Sequence, residues 1–180
     1  IHEPYKGKLF LREDINGVSV YRGYVYVPGK PSPKQRIIYD TSLSISAFLQ
    51  GLTIRDIDII LAISPPLQLG LLAYMLSKIK RSIFLFQIKD LVPDMAIILG
   101  MLKNRLAIKL ARKMEQFVYN RAQAILVICQ GFAENLKNKG VRDSKILVLP
   151  DWVDTDFIRP LGRNNRFRQA QGLSDRESVV

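Results

Sequence analysis

The sequence predicts an α/β domain in which a parallel β-sheet is covered by helices on both faces, followed by the start of a second domain. Between residues 57 and 149, short and nearly continuous apolar runs alternate with helix-length segments, the pattern of βαβ units whose strands are buried on both faces. The texture then changes at Pro150, after which DWVDTDFIRPLGRNN is polar, basic and broken by Pro160 and Gly162. A chain of 180 residues that is 48% apolar and 24% charged buries a real core. It is long enough for one domain or for one domain with a stump of another, so a complete two-domain enzyme is not expected. Ile1 in place of Met and the strand-like residues 178–180 lead to the expectation of a fragment, divided into a domain over 1–150, a linker over 151–162 and the beginning of a truncated domain over 163–180.

The elements follow in order. Residues 17–27, GVSVYRGYVYV, alternate and are rich in β-branched and aromatic types, which predicts a strand or a bent pair of strands. Pro28, Pro31 and Pro33 end it, and residues 34–51 carry Ile37, Ile38, Leu43, Ile45, Phe48 and Leu49 without an internal breaker, a helix. A strand is predicted over 57–63, a helix over 67–80, a strand over 83–88, helices across 94–123 broken near Gly100, and a strand over 124–128. A helix over 132–139 with Gly140 past its end, a strand over 145–149 and a short helix over 163–171 complete the reading. Residues 57–79 approach the length of a membrane span, but Asp56 and Asp58 stand at the entrance and Pro65-Pro66 in the middle, so strand, turn and helix is the better assignment.

Charge and cysteine content narrow the function classes. Lys and Arg number 27 against 16 Asp and Glu, a net charge of +11, which calls for an anionic partner such as acidic lipid, a phosphorylated substrate or nucleic acid. The lone Cys129 excludes an internal disulfide and reads as a small buried thiol. No zinc-ligand spacing occurs, and no G-x-G-x-x-G opens a helix. Gly23 to Lys30 has a glycine and a lysine in the order of a phosphate loop, but the spacing is wrong and Pro31 follows the lysine. His2, the only histidine, lies too near the terminus to anchor a Ser-His-Asp triad.

Chemistry in an open parallel sheet sits beyond the carboxyl ends of its strands, and three such junctions stand out. Ser64-Pro65-Pro66 joins a strand to a helix that Ser64 can cap. Gln87, Lys89, Asp90, Pro93 and Asp94 crowd the next junction: Gln87 can bind a sugar or phosphate oxygen and Asp90 can orient a hydroxyl or act as a base, whereas Asp94 also suits a helix cap. Gln130 and Gly131 follow Cys129 at the third. Elsewhere, six basic residues stand against Glu115 between Met101 and Gln123. At about 100° per residue Arg105, Lys109, Arg112 and Lys113 share one helix face, beside Leu106, Leu110, Met114, Phe117 and Val118 on its neighbour. Such a face suits anionic headgroups, or is a solvated cationic back. The tyrosines 21, 24 and 26 lie in a strand apart from it, so no nucleic-acid motif forms.

Taken together, DIIxxISPPL from Asp58, FQIKDLVPDMAIILGML from Phe86, the helix ending EQFVYNRA at Ala122, ILVICQGFAENLKNKGV, KILVLPDWVDTDFIRPL and FRQAQGL resemble the N-terminal half of glycosyltransferase family 4 enzymes, and within it the bacterial exopolysaccharide and colanic-acid-type transferases. The resemblance runs in order over nearly the whole chain. It implies the acceptor-side, Rossmann-like domain of a GT-B enzyme. Catalysis by Asp90 is implied at a cleft lined by Ser64, Pro65, Pro66, Gln87, Lys89, Pro93, Asp94, Gln130 and Gly131, with Arg105, Lys109, Arg112 and Lys113 facing the membrane. Many members have a histidine near Gln87 and an Asn-Gly-Val-Asp sequence where this chain has Asp151-Trp152-Val153-Asp154.

What the resemblance implies functionally is a retaining, metal-free transfer at the cytoplasmic face of the bacterial plasma membrane, without a cofactor. The nucleotide-sugar donor would be held by a second domain, the acceptor would be a lipid-linked saccharide, and the protein would be peripheral on an anionic membrane surface; nucleic acid is not an expected partner. The alternative reading is a noncatalytic basic α/β module that binds nucleic acid or other polyanions.

Overall fold

The computed structural model describes residues 7–30, 32–160, 162 and 165–174. The chain divides into two units, one ending at Pro150 and the other beginning at Asp151.

The first unit opens with an antiparallel hairpin, β1 (Phe10–Ile15) and β2 (Val18–Gly23). Its turn is Asn16-Gly17 with φ of 54° and 81°, the pair of positive angles that a tight hairpin with the native strand twist demands. Gly17 N–H donates to Asp14 Oδ1 at 2.9 Å, and Glu13 pairs with Arg22 across the strands. The partner strand thus lies upstream of the predicted 17–27 segment, and residues 24–27 are not strand. Helix α1 (Pro33–Thr53) begins where Ser32 accepts from Gln35 N at 3.3 Å and Pro33 occupies the first turn. Gly23 brings β2 against α1 so closely that a Cβ there would stand 2.0 Å from Ser46 Oγ. That glycine is a packing contact and has no phosphate-loop geometry.

The main sheet holds β3 (Ile59–Ser64), β4 (Ile83–Ile88), β5 (Ala124–Val127) and β6 (Ile146–Val148), in that spatial order and all parallel. They are joined by α2 (Leu67–Lys80), by the short α3 (Asp94–Ile98) with α4 (Arg105–Arg121), and by α5 (Gln130–Asn138) with a 3-10 turn at Asp143–Lys145. This is the α/β, Rossmann-like arrangement that was predicted. It differs in one respect: every crossover steps in the same direction along the sheet, and right-handed crossovers that never reverse place their helices on one face. Ala62, Phe84, Phe86, Ile88, Ile125 and Val127 are buried under those helices, whereas Ile59, Leu61, Ile63, Ile83 and Leu147 on the opposite face are exposed among the described residues. Helix α1 packs on α2, where Gly51 admits the side chain of Leu76.

The core is centred on Phe86, Ile125, Val127, Val118 and Leu136, all fully buried. Gly70 lets α2 sit directly on it: a Cβ there would lie 2.7 Å from Phe86 Cε2 and 2.8 Å from Val118 Cγ1. Gly70→Ala is therefore expected to destabilise the domain by about 1–3 kcal/mol through overpacking, despite the better helix propensity of alanine. Urea denaturation at neutral pH checks this, and an unchanged or raised midpoint contradicts it.

In the second unit, Asp154 Oδ1 accepts from Asp156 N at 2.9 Å and Phe157 N at 3.0 Å, so the last residue of Asp151-Trp152-Val153-Asp154 has a local turn-forming role. Helix α6 (Arg166–Ala170) is capped by Asn165, which accepts from Arg168 N at 3.1 Å. The predicted helix began at Arg163 and a strand was expected over 178–180; Arg163, Asn164 and 178–180 lie outside the described residues, as does His2.

Candidate functional site

The four parallel strands end level with one another. Ser64 is in register with Ile88, Ile88 with Val127 and Val127 with Val148, so the loops after β3, β4 and β5 leave the sheet from adjacent strands about 5 Å apart. Three predicted groups, Ser64-Pro65-Pro66, Gln87 to Asp90, and Gln130-Gly131, thereby come to one edge.

At the first loop Ser64 is buried and Pro65 exposed. The predicted Ser64 cap does not form, because Pro66 stands at the N-cap position of α2 without a side-chain bond. Ser64 instead belongs to the sheet, its carbonyl accepting from Lys89 N at 3.0 Å and so carrying the β3–β4 pairing one step further. At the second loop Gln87 lies in β4 between Ile63 and Leu126 in register and is 7% exposed. Strand alternation puts it on the face opposite Phe86 and Ile88. Lys89 and Asp90 are exposed at the strand end, and the Asp90 carbonyl accepts from Val92 N at 3.0 Å. An amide, an ammonium and a carboxylate thus follow one another within four residues, a donor and acceptor set suited to a hydroxyl-rich, phosphorylated ligand.

Asp94 behaves differently. Pro93 is buried and takes the N-cap position of α3, so the predicted Asp94 cap is absent. The Asp94 carboxylate turns toward α4 and α5, where Lys139 Nζ donates to it at 2.7 Å, and the guanidinium of Arg112 stands 3.8 Å away. Lys139 also donates to Glu115 Oε1 at 2.6 Å, and Tyr119 O–H donates to the same oxygen at 3.0 Å. This network ties the start of α3, directly after the Lys89–Asp90 loop, to both following helices. Sequence reasoning passed over Lys139 and Glu115. The available signal was Glu115 itself, the single acid in a cationic stretch, four residues before a tyrosine on the same helix face.

Burial, reinforced by the neighbouring Glu115 charge, pushes the Tyr119 phenol far above its ordinary value. The sign follows by linkage. The folded state holds the proton while the unfolded chain releases it near pH 10, so stability is complete below that pH and falls as pH rises above it, by up to about 1.4 kcal/mol per pH unit for this group. Tyr119→Phe is expected to lose about 1 kcal/mol at pH 7 and to show a shallower decline above pH 10. Denaturation curves at pH 7 and pH 11 check the difference, and parallel declines in the two proteins contradict it. At the other end of the network, Lys145 Nζ donates to the Tyr119 and Asn120 carbonyls at 2.9 and 3.1 Å and caps α4; burial, helped by Arg142, lowers its pKa.

At the third loop Cys129 is exposed at the N-cap position of α5, which corrects the expectation of a buried thiol: the strand ends at Val127, so alternation no longer governs it. Gln130 and Gly131 are the exposed first residues of α5, and a Cβ at Gly131 would meet only Cys129 Sγ at 4.0 Å. Arg105, Lys109, Arg112 and Lys113 are exposed along α4. Among the described residues no group of three or more His, Cys, Asp or Glu could hold a metal ion, and no helix is long and apolar enough to cross a membrane.

No curated protein matched this sequence in a search. Over residues 4–152, however, the sequence fits the profile of the Glycosyl transferase 4-like domain, a stretch that contains the sheet, its helices and all three polar strand-end loops. A match over that much of the chain, with the parallel α/β fold beneath it, shows that the chain belongs to the glycosyl transferase 4-like domain family.

Proposed function

We propose that this domain provides the acceptor side of a sugar transfer from a nucleotide-sugar to a lipid-linked saccharide, in the building of a bacterial cell-surface polysaccharide such as an exopolysaccharide, at the cytoplasmic face of the plasma membrane. The observation that carries the reading is the convergence of Gln87, Lys89 and Asp90 with Ser64 to Pro66 and Gln130-Gly131 at one edge of a parallel sheet, in a chain of this transferase family.

In this reading Asp90 accepts a hydrogen bond from the attacking hydroxyl and orients it, Gln87 holds a neighbouring sugar oxygen, and Lys89 meets a phosphate of the acceptor's diphosphate. The hydroxyl oxygen bonds to the anomeric carbon as the bond from that carbon to the nucleoside diphosphate breaks, the hydroxyl proton passing to the departing diphosphate, with retention and without a metal. The catalytic contribution of this half is positioning. The donor and its leaving diphosphate are held by a second lobe, of which residues 163–180 would form the beginning. Cys129, Gln130 and Gly131 shape the far side of the acceptor pocket.

A calorimetric titration of the chain with a short-chain polyprenyl-diphosphate monosaccharide tests this. Asp90→Ala and Lys89→Ala are each expected to weaken binding about 10-fold, the worth of one hydrogen bond to a charged group, while Ser19→Ala on the hairpin leaves it unchanged. Equal affinity for all four proteins contradicts the assignment.

A further inference from the structure

A cavity of about 250 Å³ opens between α3, α4 and α5, beginning at Leu91, the residue after Asp90. Leu91, Met95 and Ile98 form its apolar side, and Asp94, Arg112 and Asn135 its polar side. Two acceptors here are short of donors. Asn135 Oδ1 is buried and has no hydrogen-bond partner among the described residues, which leaves its desolvation uncompensated. Asp94 pairs through Oδ2 with Lys139 at 2.7 Å, whereas its Oδ1 stands 3.8 Å from the Arg112 guanidinium, too far for a hydrogen bond. Arg112, with a side chain 57% exposed, adds a fork of N–H donors to the same wall. The formal charges around the cavity cancel: Asp94 and Glu115 stand against Lys139 and Arg112.

From this arrangement we infer that the cavity between α3, α4 and α5 is a binding site for one neutral sugar unit, separate from the three strand-end loops. Charge balance selects the class. An ion entering the cavity would meet no counter-charge left over, and its desolvation would go unrepaid. A neutral ring carrying several hydroxyls meets every requirement at once. Its O–H groups donate to Asn135 Oδ1 and Asp94 Oδ1, one of its oxygens accepts from Arg112, and its C–H face lies on Leu91 and Met95. The volume suits a single pyranose, and membership of a glycosyl transferase family singles out a sugar among neutral hydroxylated molecules. By contrast, the cavity of about 220 Å³ between α1, β3 and α2 is lined by apolar residues and specifies no ligand. The inference stands on the cavity's own groups and does not need the acceptor assignment.

The test titrates the isotopically labelled chain with the methyl glycosides of glucose, galactose and mannose at millimolar concentration and follows its NMR shifts. At least one sugar is expected to move the amides of Leu91, Met95 and Asn135 and the Arg112 Nε–H signal to saturation. Its uronic acid and amino-sugar counterparts, which carry a charge, are expected to bind about ten-fold more weakly or worse, and glycerol not to saturate. Asn135→Leu is expected to weaken the sugar about five-fold, the worth of one hydrogen bond, and to leave the urea midpoint unchanged or raised, because it removes an unsatisfied buried acceptor. A merely structural amide would lower the midpoint on removal. Lys137→Gln, on the same helix but exposed and paired with Asp143, is expected to bind the sugar as the wild type does. The inference is overturned by the absence of saturable shifts with all three sugars, by shifts confined to the strand-end loops, or by charged counterparts or glycerol that bind as tightly. An Asn135→Leu protein that binds the sugar unchanged, or that unfolds at lower urea, overturns it as well. The acceptor titration is read on another ligand and on Lys89 and Asp90, so either assignment can fail alone.

Discussion

Replacing Lys139 with methionine is expected to destabilise the domain by about 3 kcal/mol or more at pH 7, because two carboxylates are left partly buried without their counter-charge. The side chains of Lys139, Asp94 and Glu115 are 17%, 18% and 5% exposed, so water can make good only part of the loss, and Glu115 least of all. Arg112 stands 3.8 Å from Asp94 with an exposed side chain and is a weak substitute. The cause can be separated from simple loss of packing. Adding Asp94→Asn and Glu115→Gln to Lys139→Met removes the stranded charges and is expected to recover at least half of the lost stability, a strong departure from additivity. Urea denaturation of the wild type, the Lys139→Met protein, the Asp94→Asn/Glu115→Gln protein and the triple variant measures it. A Lys139→Met protein within 1 kcal/mol of the wild type, or a triple variant no better than the single one, contradicts the role given to this network.

Phe86→Ala is expected to cost about 3–5 kcal/mol, the range for a fully buried aromatic whose site cannot collapse. Collapse is opposed from several directions. Phe86 lies in the second strand of the sheet, its ring centroid 6.2 Å from Phe84 and 6.3 Å from Tyr119, and the α2 backbone already rests on it at Gly70. Tyr119 is held in turn by Glu115, so it cannot swing freely into the space. A coupled result follows: Gly70→Ala is expected to be less costly in the Phe86→Ala background, because one of its two clashes has gone, although Val118 Cγ1 remains. Chemical denaturation of the double-mutant cycle reads both terms, and an additive cycle contradicts this account of the α2–β4 contact.

What could be read from the sequence divides along physical lines. Helix α2 and strand β4 occupy the predicted residues, because Pro65-Pro66 and Arg81-Ser82 bracket a helix-length stretch and an uninterrupted apolar run admits one assignment. Strand β1 escaped because Arg12, Glu13 and Asp14 hide its alternation, yet Asn16-Gly17 between two six-residue strands was the stronger signal. The one-sided helix cover was beyond reach from local pattern. Continuous apolar runs such as residues 59–63 state that a strand tolerates burial on both faces, whereas strand order decides which face receives helices. The meeting of Gln87 and Asp90 with the Ser64 and Gln130 loops was legible from the alternation of strands and helices, since parallel strands place all their carboxyl ends together. The inward turn of Asp94 was not: its partners Lys139 and Arg112 lie on helices far along the chain, and no local rule couples them. Cys129 was misread for a similar reason: two residues past the end of β5, its side chain is released from the strand's inner face.

The claim on which the functional account turns is that the three strand-end loops act together as a receptor for a lipid-linked sugar. Amide shift mapping by two-dimensional NMR, titrating a short-chain polyprenyl-diphosphate monosaccharide into the isotopically labelled chain, tests it at residue resolution. Perturbations are expected at Ser64, Leu67, Gln87 to Asp90 and Gln130-Gly131, with the β1–β2 hairpin unmoved. Shifts confined to α4, or none at those loops when the ligand is in excess, would contradict it.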